Sequence, residues 1–230
     1  VDTFLAMSNR EFDELKELYS DYKIPFWMNT RAETINEYRA AGLEEMNMLR
    51  MNIGIEHGNY EYRRNYLKRN VKNEVQIKAF EIAAEHNYAS CANSIIGMPD
   101  ETRDLIFDTI NFVRKLPSNI DATGAFIFAP YHGTPLRTLA IEKGYIIEDE
   151  ICSLSNTSAS MLNMPTISKE EISGLAKVFS LYTKFPKERW PEIKIAEKND
   201  SEGDKMMEKL GVEFDQTYRQ FKAQALDLHD

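Results

Sequence analysis

Glu56 and His57 stand side by side in the string MNIGIEHGN at 51–59, between Gly54 and Gly58. An ionised glutamate accepts hydrogen bonds in a fixed plane, which suits the paired hydroxyls of a ribose. Flanking glycines let backbone come close to a ligand. The plainer alternative for Glu56 is pairing with Arg31 or capping the next helix. His57 could act as a general acid or orient a substrate, or be an ordinary loop histidine. Arg31 ends the string IPFWMNTR at 24–31. A guanidinium there can hold a carboxylate through two parallel bonds, or form a salt bridge to Glu33 or Glu56. The string GMPDE at 97–101 reads as a tight strand-to-helix turn whose free N–H groups meet a ligand or Asp100 as cap. PYHGTP at 130–135 is a rigid turn that either presents Tyr131 or His132 to a planar ligand or is merely structural.

These groups need elements that deliver them to one place. Three apolar runs, at 51–59, 94–102 and 125–136, each end in a Gly- or Pro-bearing loop with a helical pattern beyond. That is the layout of a parallel α/β sheet or barrel, whose ligands sit at the C-terminal ends of the strands. The chain reads as four consecutive β/α units over residues 1–147, then a mostly helical extension over 148–230 that shapes the substrate side or packs. Asn73 is expected to start a helix with Gln76 as capping partner and Val75, Ala79, Ile82, Ala83 and His86 as its buried stripe. Pro99 and Asp100 are expected to open the following helix. Ser168 and Glu171 form a capping box ahead of Ile172, Leu175, Ala176, Phe179 and Tyr182. The tail offers Met206, Met207, Leu210, Phe214, Tyr218 and Phe221 for packing.

The 230 residues carry a net charge of −9 and a pI near 5.1, with 43% hydrophobic and 28% charged residues. No basic stripe favours nucleic acid. Arg63, Arg64, Lys68 and Arg69 read as a solvated helix face rather than a phosphate site. No run approaches the ~18 apolar residues of a membrane helix, and no signal peptide is visible. Cys91 and Cys152, far apart in sequence, fit a reducing, cytoplasmic setting. They cannot by themselves ligate an iron–sulfur cluster or a structural zinc. Cys91 and the methionines Met98, Met161 and Met164 read as core or lid packing. A hydrolase using Glu56 and Asp100 as paired carboxylates has no motif behind it.

Taken in order, DTF at the start, WMNTRAETI, IGIEHGNYEYRRNYLKR, SIIGMPDET and APYHGTPLRTLAIEKGYI resemble the radical S-adenosylmethionine (SAM) superfamily. More narrowly they resemble its cobalamin-binding branch, which includes the anaerobic magnesium-protoporphyrin IX monomethyl ester oxidative cyclases. Each string is weak alone; the ordered set over residues 1–147 is specific. The resemblance implies an α/β fold, an incomplete (β/α)6 TIM-like barrel lacking its first strands and followed by a helical extension. It implies an enzyme using S-adenosylmethionine and a 4Fe-4S cluster, with cobalamin as a further cofactor, acting on a small-molecule substrate by hydrogen abstraction or methyl transfer. It places ribose contact at Glu56, adenine support at Asn93, Ile95 and Gly97, and an adenine border at Pro130 and Tyr131. Asp2 and Thr3 fall at the methionine amino group and Arg31 at its carboxylate. His57, where relatives often have Ser, and His132 are the substrate candidates.

The chain departs from this pattern: it contains no CxxxCxxC, and the family's first strand, most of its second and the upstream cobalamin domain have no counterpart here. It also has no initiator Met, and residues 1–4 read as the tail of a strand. The expectation is therefore a C-terminal part of a longer enzyme, inactive alone, whose upstream domain supplies the cluster and whose exposed face favours self-association. The competing expectation is a non-catalytic binding or scaffold module.

Overall fold

The apolar runs become four parallel strands in a computed structural model that describes residues 3–152 and 159–218. They are β1 (Phe26–Arg31), β2 (Met48–Glu56), β3 (Ala89–Ile96) and β4 (Ala122–Ile127), side by side in chain order. The helices are α1 (Asn9–Tyr19), α2 (Glu37–Glu45), α3 (Tyr60–Tyr66), α4 (Asn73–Ala84), α5 (Arg103–Val113), α6 (Pro135–Glu142), α7 (Lys169–Lys184), α8 (Trp190–Ala196) and α9 (Ser201–Tyr218). Side-chain caps mark several starts: Ser8 with Glu11, Asn36, Asn59, Thr102, and Ser168 with Glu171.

Strand alternation divides the sheet into two unlike faces. Met28 and Thr30, Met51, Ile53 and Ile55, Ala92, Ser94 and Ile96, and Thr123 and Ile127 point into the core and are buried. The register aligns Thr30, Ile53, Ala92 and Thr123 in one row. Helices α2, α4, α5 and α7 pack on this side. The opposite face carries Trp27, Asn29, Arg31, Asn52, Gly54, Asn93, Ile95 and Phe126, half-buried or exposed. On it the Asn52 amide donates to Asn29 Oδ1 at 2.9 Å. Arg50 stacks on Trp27 and reaches Asp121 at 2.5 Å. Parallel sheets ordinarily have both faces covered; among the described residues only one face is.

The segment after residue 147 is joined to the same core. Helix α7 lies against β4: Thr183 Oγ1 meets Thr123 Oγ1 at 2.6 Å and Ser180 Oγ donates to the Thr123 carbonyl. Lys184, its charge disfavoured by burial, donates to the carbonyls of Ser118 and Ile120. Phe107, Tyr182 and Trp190 form an edge-to-face triad at 5.2–5.4 Å that ties α5, α7 and α8 together. Phe221 lies outside the described residues.

Two local expectations need correction. Helix α4 has Lys72 at its N-cap position with no side-chain cap. Asn73 is used sideways instead: its amide donates to the Gly58 carbonyl at 3.0 Å and its oxygen accepts from Arg63 at 2.8 Å. The helix is thereby rolled so that Gln76, Ala79, Phe80, Ile82 and Ala83 are buried, while Val75 is 43% exposed. Pro99 and Asp100 do not open α5 either. Met98 to Glu101 make a turn closed by Glu101 N–H on the Met98 carbonyl at 3.1 Å, with φ +63° at Asp100. Proline second and positive φ third is the type II pattern, and the helix waits for Thr102 as its cap.

Candidate functional site

The sheet delivers its polar loops to one edge, the C-terminal ends of the strands. At the end of β2 the pairing with β3 shifts register between Gly54 and Glu56. Glu56 adopts φ +64°, and the next N–H, of His57, closes back on the Ile55 carbonyl at 2.9 Å. This is a γ-turn of the rarer, strained hand centred on Glu56. It throws the side chain back over the strand: Glu56 Oε1 lies 2.5 Å from where a Cβ on Gly54 would stand. What Gly54 admits is the carboxylate of Glu56 itself. Gly58 has a different neighbour, since a Cβ there would sit 2.5 Å from Thr109 Cα on α5.

Arg69 Nη1 donates to Glu56 Oε1 at 2.6 Å, its Nη2 faces Glu33 Oε2 at 3.8 Å, and Glu33 Oε1 accepts from Arg31 Nη2 at 2.6 Å. The result is a row of alternating charge, Arg31, Glu33, Arg69, Glu56, along the ends of β1 and β2. Within it the Nε atoms of Arg31 and Arg69 are buried with no hydrogen-bond partner among the described residues. The Nε atoms of Arg39 and Arg63 are in the same state, so this does not set the row apart.

Behind this row lies a buried polar knot. His57 and Glu101 are both 0% exposed, with Nε2 and Oε1 3.0 Å apart. His57 Nδ1 accepts from Asn59 N–H at 3.0 Å, so Nε2 carries the proton and donates to Glu101. The other Glu101 oxygen accepts from the N–H groups of Gly97 and Met98. His57 stacks on Tyr62 with centroids 4.4 Å apart, and Tyr62 on Tyr66 at 4.4 Å. Tyr62 O–H donates to the Pro99 carbonyl at 2.7 Å; burial pushes this phenol far above its usual range. Arg63, fully buried, donates to the carbonyls of His57 and Val71. Burial draws its guanidinium down to about 10, so it remains charged at neutral pH.

Asp100 gathers three donors: Tyr145 O–H at 2.6 Å, Tyr66 O–H at 2.8 Å and Lys143 Nζ at 2.9 Å. Burial raises its carboxyl, but these bonds outweigh burial and hold it below the ordinary carboxylate range. Between α3 and α6, over the ends of β3 and β4, opens an apolar cavity of about 490 Å³. Ile95, Phe126, Phe128, Tyr131, Tyr66 and Leu136 line it, with Lys68 at its side.

The structure thus brings Glu56 and Arg31 into one charged row, and Ile95 and Tyr131 into one cavity. Asn93 lies on the open face, beside Gly54 in register. Gly97 does not join the open face: it is buried, its N–H is taken by Glu101, and a Cβ on it would meet Ile172 at 3.0 Å. Pro130 is buried, and its carbonyl accepts from Arg137 at 2.9 Å. Thr3 sits in a turn whose carbonyl accepts from Ala6 N–H at 2.9 Å. Asp2 lies outside the described residues. His132 is exposed. His57 as a substrate-facing group is corrected: it is sealed from solvent with both ring nitrogens engaged. The solvated Arg/Lys face is corrected for Arg63, which is buried, and for Arg69, whose side chain is 10% exposed. Sequence reasoning missed Glu101 and Arg137. An acid four residues past a strand-ending glycine, opposite a histidine, is the signal that marks Glu101.

Among the described residues no group of three or more His, Cys, Asp and Glu is placed to hold a metal ion. Cys91 is buried on β3 and Cys152 is half-buried. No helix among them is long and apolar enough to cross a membrane.

A parallel β/α sheet in sequential order, with its polar and apolar clefts at the strand C-termini, defines an α/β protein whose ligand end is that edge. Residues 4–113 match the family model described as the Radical SAM superfamily. An uncharacterized methyltransferase of Pyrococcus horikoshii is 29% identical over 147 residues, 64% of this chain and 31% of the relative. The chain therefore spans about a third of the length of that curated relative. Among solved structures, coproporphyrinogen III oxidase from Escherichia coli, a radical SAM enzyme, is similar at TM-score 0.48 and 20% identity, over 56% of this chain and 30% of that one. The radical S-adenosylmethionine methyltransferase TsrM from Kitasatospora setae, solved with cobalamin and a 4Fe-4S cluster, is similar at TM-score 0.47 and 16% identity, over 60% and 29%.

Proposed function

We propose that this chain forms the S-adenosylmethionine-binding wall of a radical SAM enzyme, the rest of whose incomplete (β/α)6 barrel comes from an upstream segment of the same polypeptide. The observation that carries the reading is Glu56. A strained turn and a bare glycine together aim its carboxylate along the open face, within a segment that matches the superfamily.

S-adenosylmethionine fits the groups present. Ionised Glu56, steadied by Arg69, offers acceptors to the ribose hydroxyls. Ser94 is its partner in the β2–β3 register, and Ile95 beside it opens onto the apolar cavity, where Tyr131 and Phe126 suit a flat base. The Arg31 guanidinium, its side chain 42% exposed, suits an amino-acid carboxylate. When bound, the cofactor supplies hydrogen-abstracting or methylating power. The residues here bind it, orient it and screen it from water.

The 4Fe-4S cluster does not fit this chain. Two cysteines, one of them buried in β3, cannot ligate it. In this reading the upstream segment brings the cluster and, in the cobalamin-binding branch, the cobalamin. Cyclase-type hydrogen abstraction on a small molecule is the leading chemistry. Methyl transfer is the second reading, favoured by the methyltransferase name of the Pyrococcus relative.

The test uses the natural polypeptide that carries this chain, reconstituted anaerobically with iron and sulfide. Calorimetry should show S-adenosylmethionine affinity falling by about 1–3 kcal/mol in Glu56→Gln, as for a lost charged partner. With dithionite, 5′-deoxyadenosine marks hydrogen abstraction and S-adenosylhomocysteine marks methyl transfer. Neither product from a cluster-loaded protein given candidate substrates sinks the enzyme reading. Unchanged affinity in Glu56→Gln sinks the assignment of that residue.

A further inference from the structure

We propose that His57 and Glu101 are a positioning pair that clamps two strained turns together and so aims Glu56 at its ligand. The proposal rests on the reading of Glu56 given above.

The turns at the ends of β2 and β3 each hold a non-glycine residue at positive φ: Glu56 at the centre of its γ-turn and Asp100 at the third place of its β-turn. Backbone of this kind persists only where the surroundings over-determine it. The residue after each supplies the restraint. His57 follows Glu56, Glu101 follows Asp100, and the two side chains bond each other across the gap between β2 and β3. Each is held from further directions. Glu101 takes the N–H groups of Gly97 and Met98. His57 takes Asn59 N–H on Nδ1, Arg63 on its carbonyl and Tyr62 against its ring. Tyr62 then reaches the Pro99 carbonyl, a second stitch between the same loops.

A carboxylate and an imidazole buried at 0% exposure are a costly filling where two apolar side chains would serve. What apolar residues could not supply is direction. The Nε2–H bond fixes the orientation of His57 and thereby the peptide that closes the turn on the Ile55 carbonyl. That turn sets where the Glu56 carboxylate points. The pair touches neither solvent nor the open face, so its action on a ligand runs through Glu56.

The experiment is a double-mutant cycle in the natural polypeptide, read by S-adenosylmethionine calorimetry and by hydrogen exchange of the amides at 55–58 and 97–98. His57→Leu should weaken binding about tenfold, as loss of an orienting partner does, and speed exchange at 55–58. Adding Glu56→Gln should then cost little more, because the carboxylate is already misdirected. His57→Gln, whose amide N–H can replace Nε2–H, should restore most of the affinity. A folded His57→Leu with unchanged affinity, or losses that simply add, overturns the pair while leaving Glu56 as a ligand contact. Unchanged affinity in Glu56→Gln alone overturns both. If His57→Leu does not fold, Glu101→Gln carries the test. It should weaken binding and speed exchange at 97–98, and no change in either refutes the clamp.

Discussion

Glu56 Oε1 rests directly above Gly54, 2.5 Å from where that residue's Cβ would be, while Arg69 Nη1 holds the same oxygen at 2.6 Å. A side chain two residues along has folded back into space that only glycine leaves free.

This separates two glycines of one loop. In Gly54→Ala the atom displaced is the tip of a flexible side chain. Stability should stay within about 0.5 kcal/mol of the parent, while S-adenosylmethionine affinity falls. In Gly58→Ala the new methyl meets Thr109 Cα at 2.5 Å and the Asp108 carbonyl at 2.8 Å, neither of which can step aside. The expected loss is about 1–3 kcal/mol by urea denaturation. Equal losses in the two variants would contradict this account.

Arg63 and Arg64 are neighbours with opposite fates. Arg64 is exposed and pairs with Glu61, so Arg64→Met should change stability by no more than about 0.5 kcal/mol. Arg63→Met leaves the His57 and Val71 carbonyls and Asn73 Oδ1 without their donor. The expected cost is about 3 kcal/mol, measured by chemical denaturation. A small effect would mean that water replaces the guanidinium inside the loop.

Asp100 gives the fold an acid-sensitive joint. Its folded carboxyl lies below the ordinary value because Tyr145, Lys143 and Tyr66 together overcome the raising effect of burial. The stability it contributes is therefore present above about pH 4, the unfolded value, and is lost as pH falls through the lower folded value. Asp100→Asn should melt below the parent at pH 7, and the gap should close as pH falls below about 4. A gap that persists undiminished at the acid end would show that the carboxylate charge is not what Tyr66, Tyr145 and Lys143 hold.

Strands and helices were legible because burial imposes periodicity: Met51, Ile53 and Ile55 alternate, and Ser168 with Glu171 announces α7. The places that misled are those where a side chain bonds sideways across the fold. Asn73 does start α4, but its side chain serves Arg63 and Gly58 in place of capping the helix. Asp100 looked like a cap and instead sits in a turn. His57 looked reactive because loop histidines so often are. Its partner lies 44 residues away in sequence, beyond any local pattern. Glu56 and Arg31 were visible as candidates from their positions at strand ends. The Arg69 contact that organises them was hidden in a run of basic residues.

The two faces of the sheet have a consequence for how such a domain changes over generations. Strand alternation assigns stability to one set of positions and the open face to the interleaved set. Asn29, Asn52, Asn93 and Phe126 can each be replaced while their neighbours Met28, Ile53, Ala92 and Ile127 stay in the core. The open surface can therefore be rewritten one alternate residue at a time, and the fold that carries it hardly registers the edit.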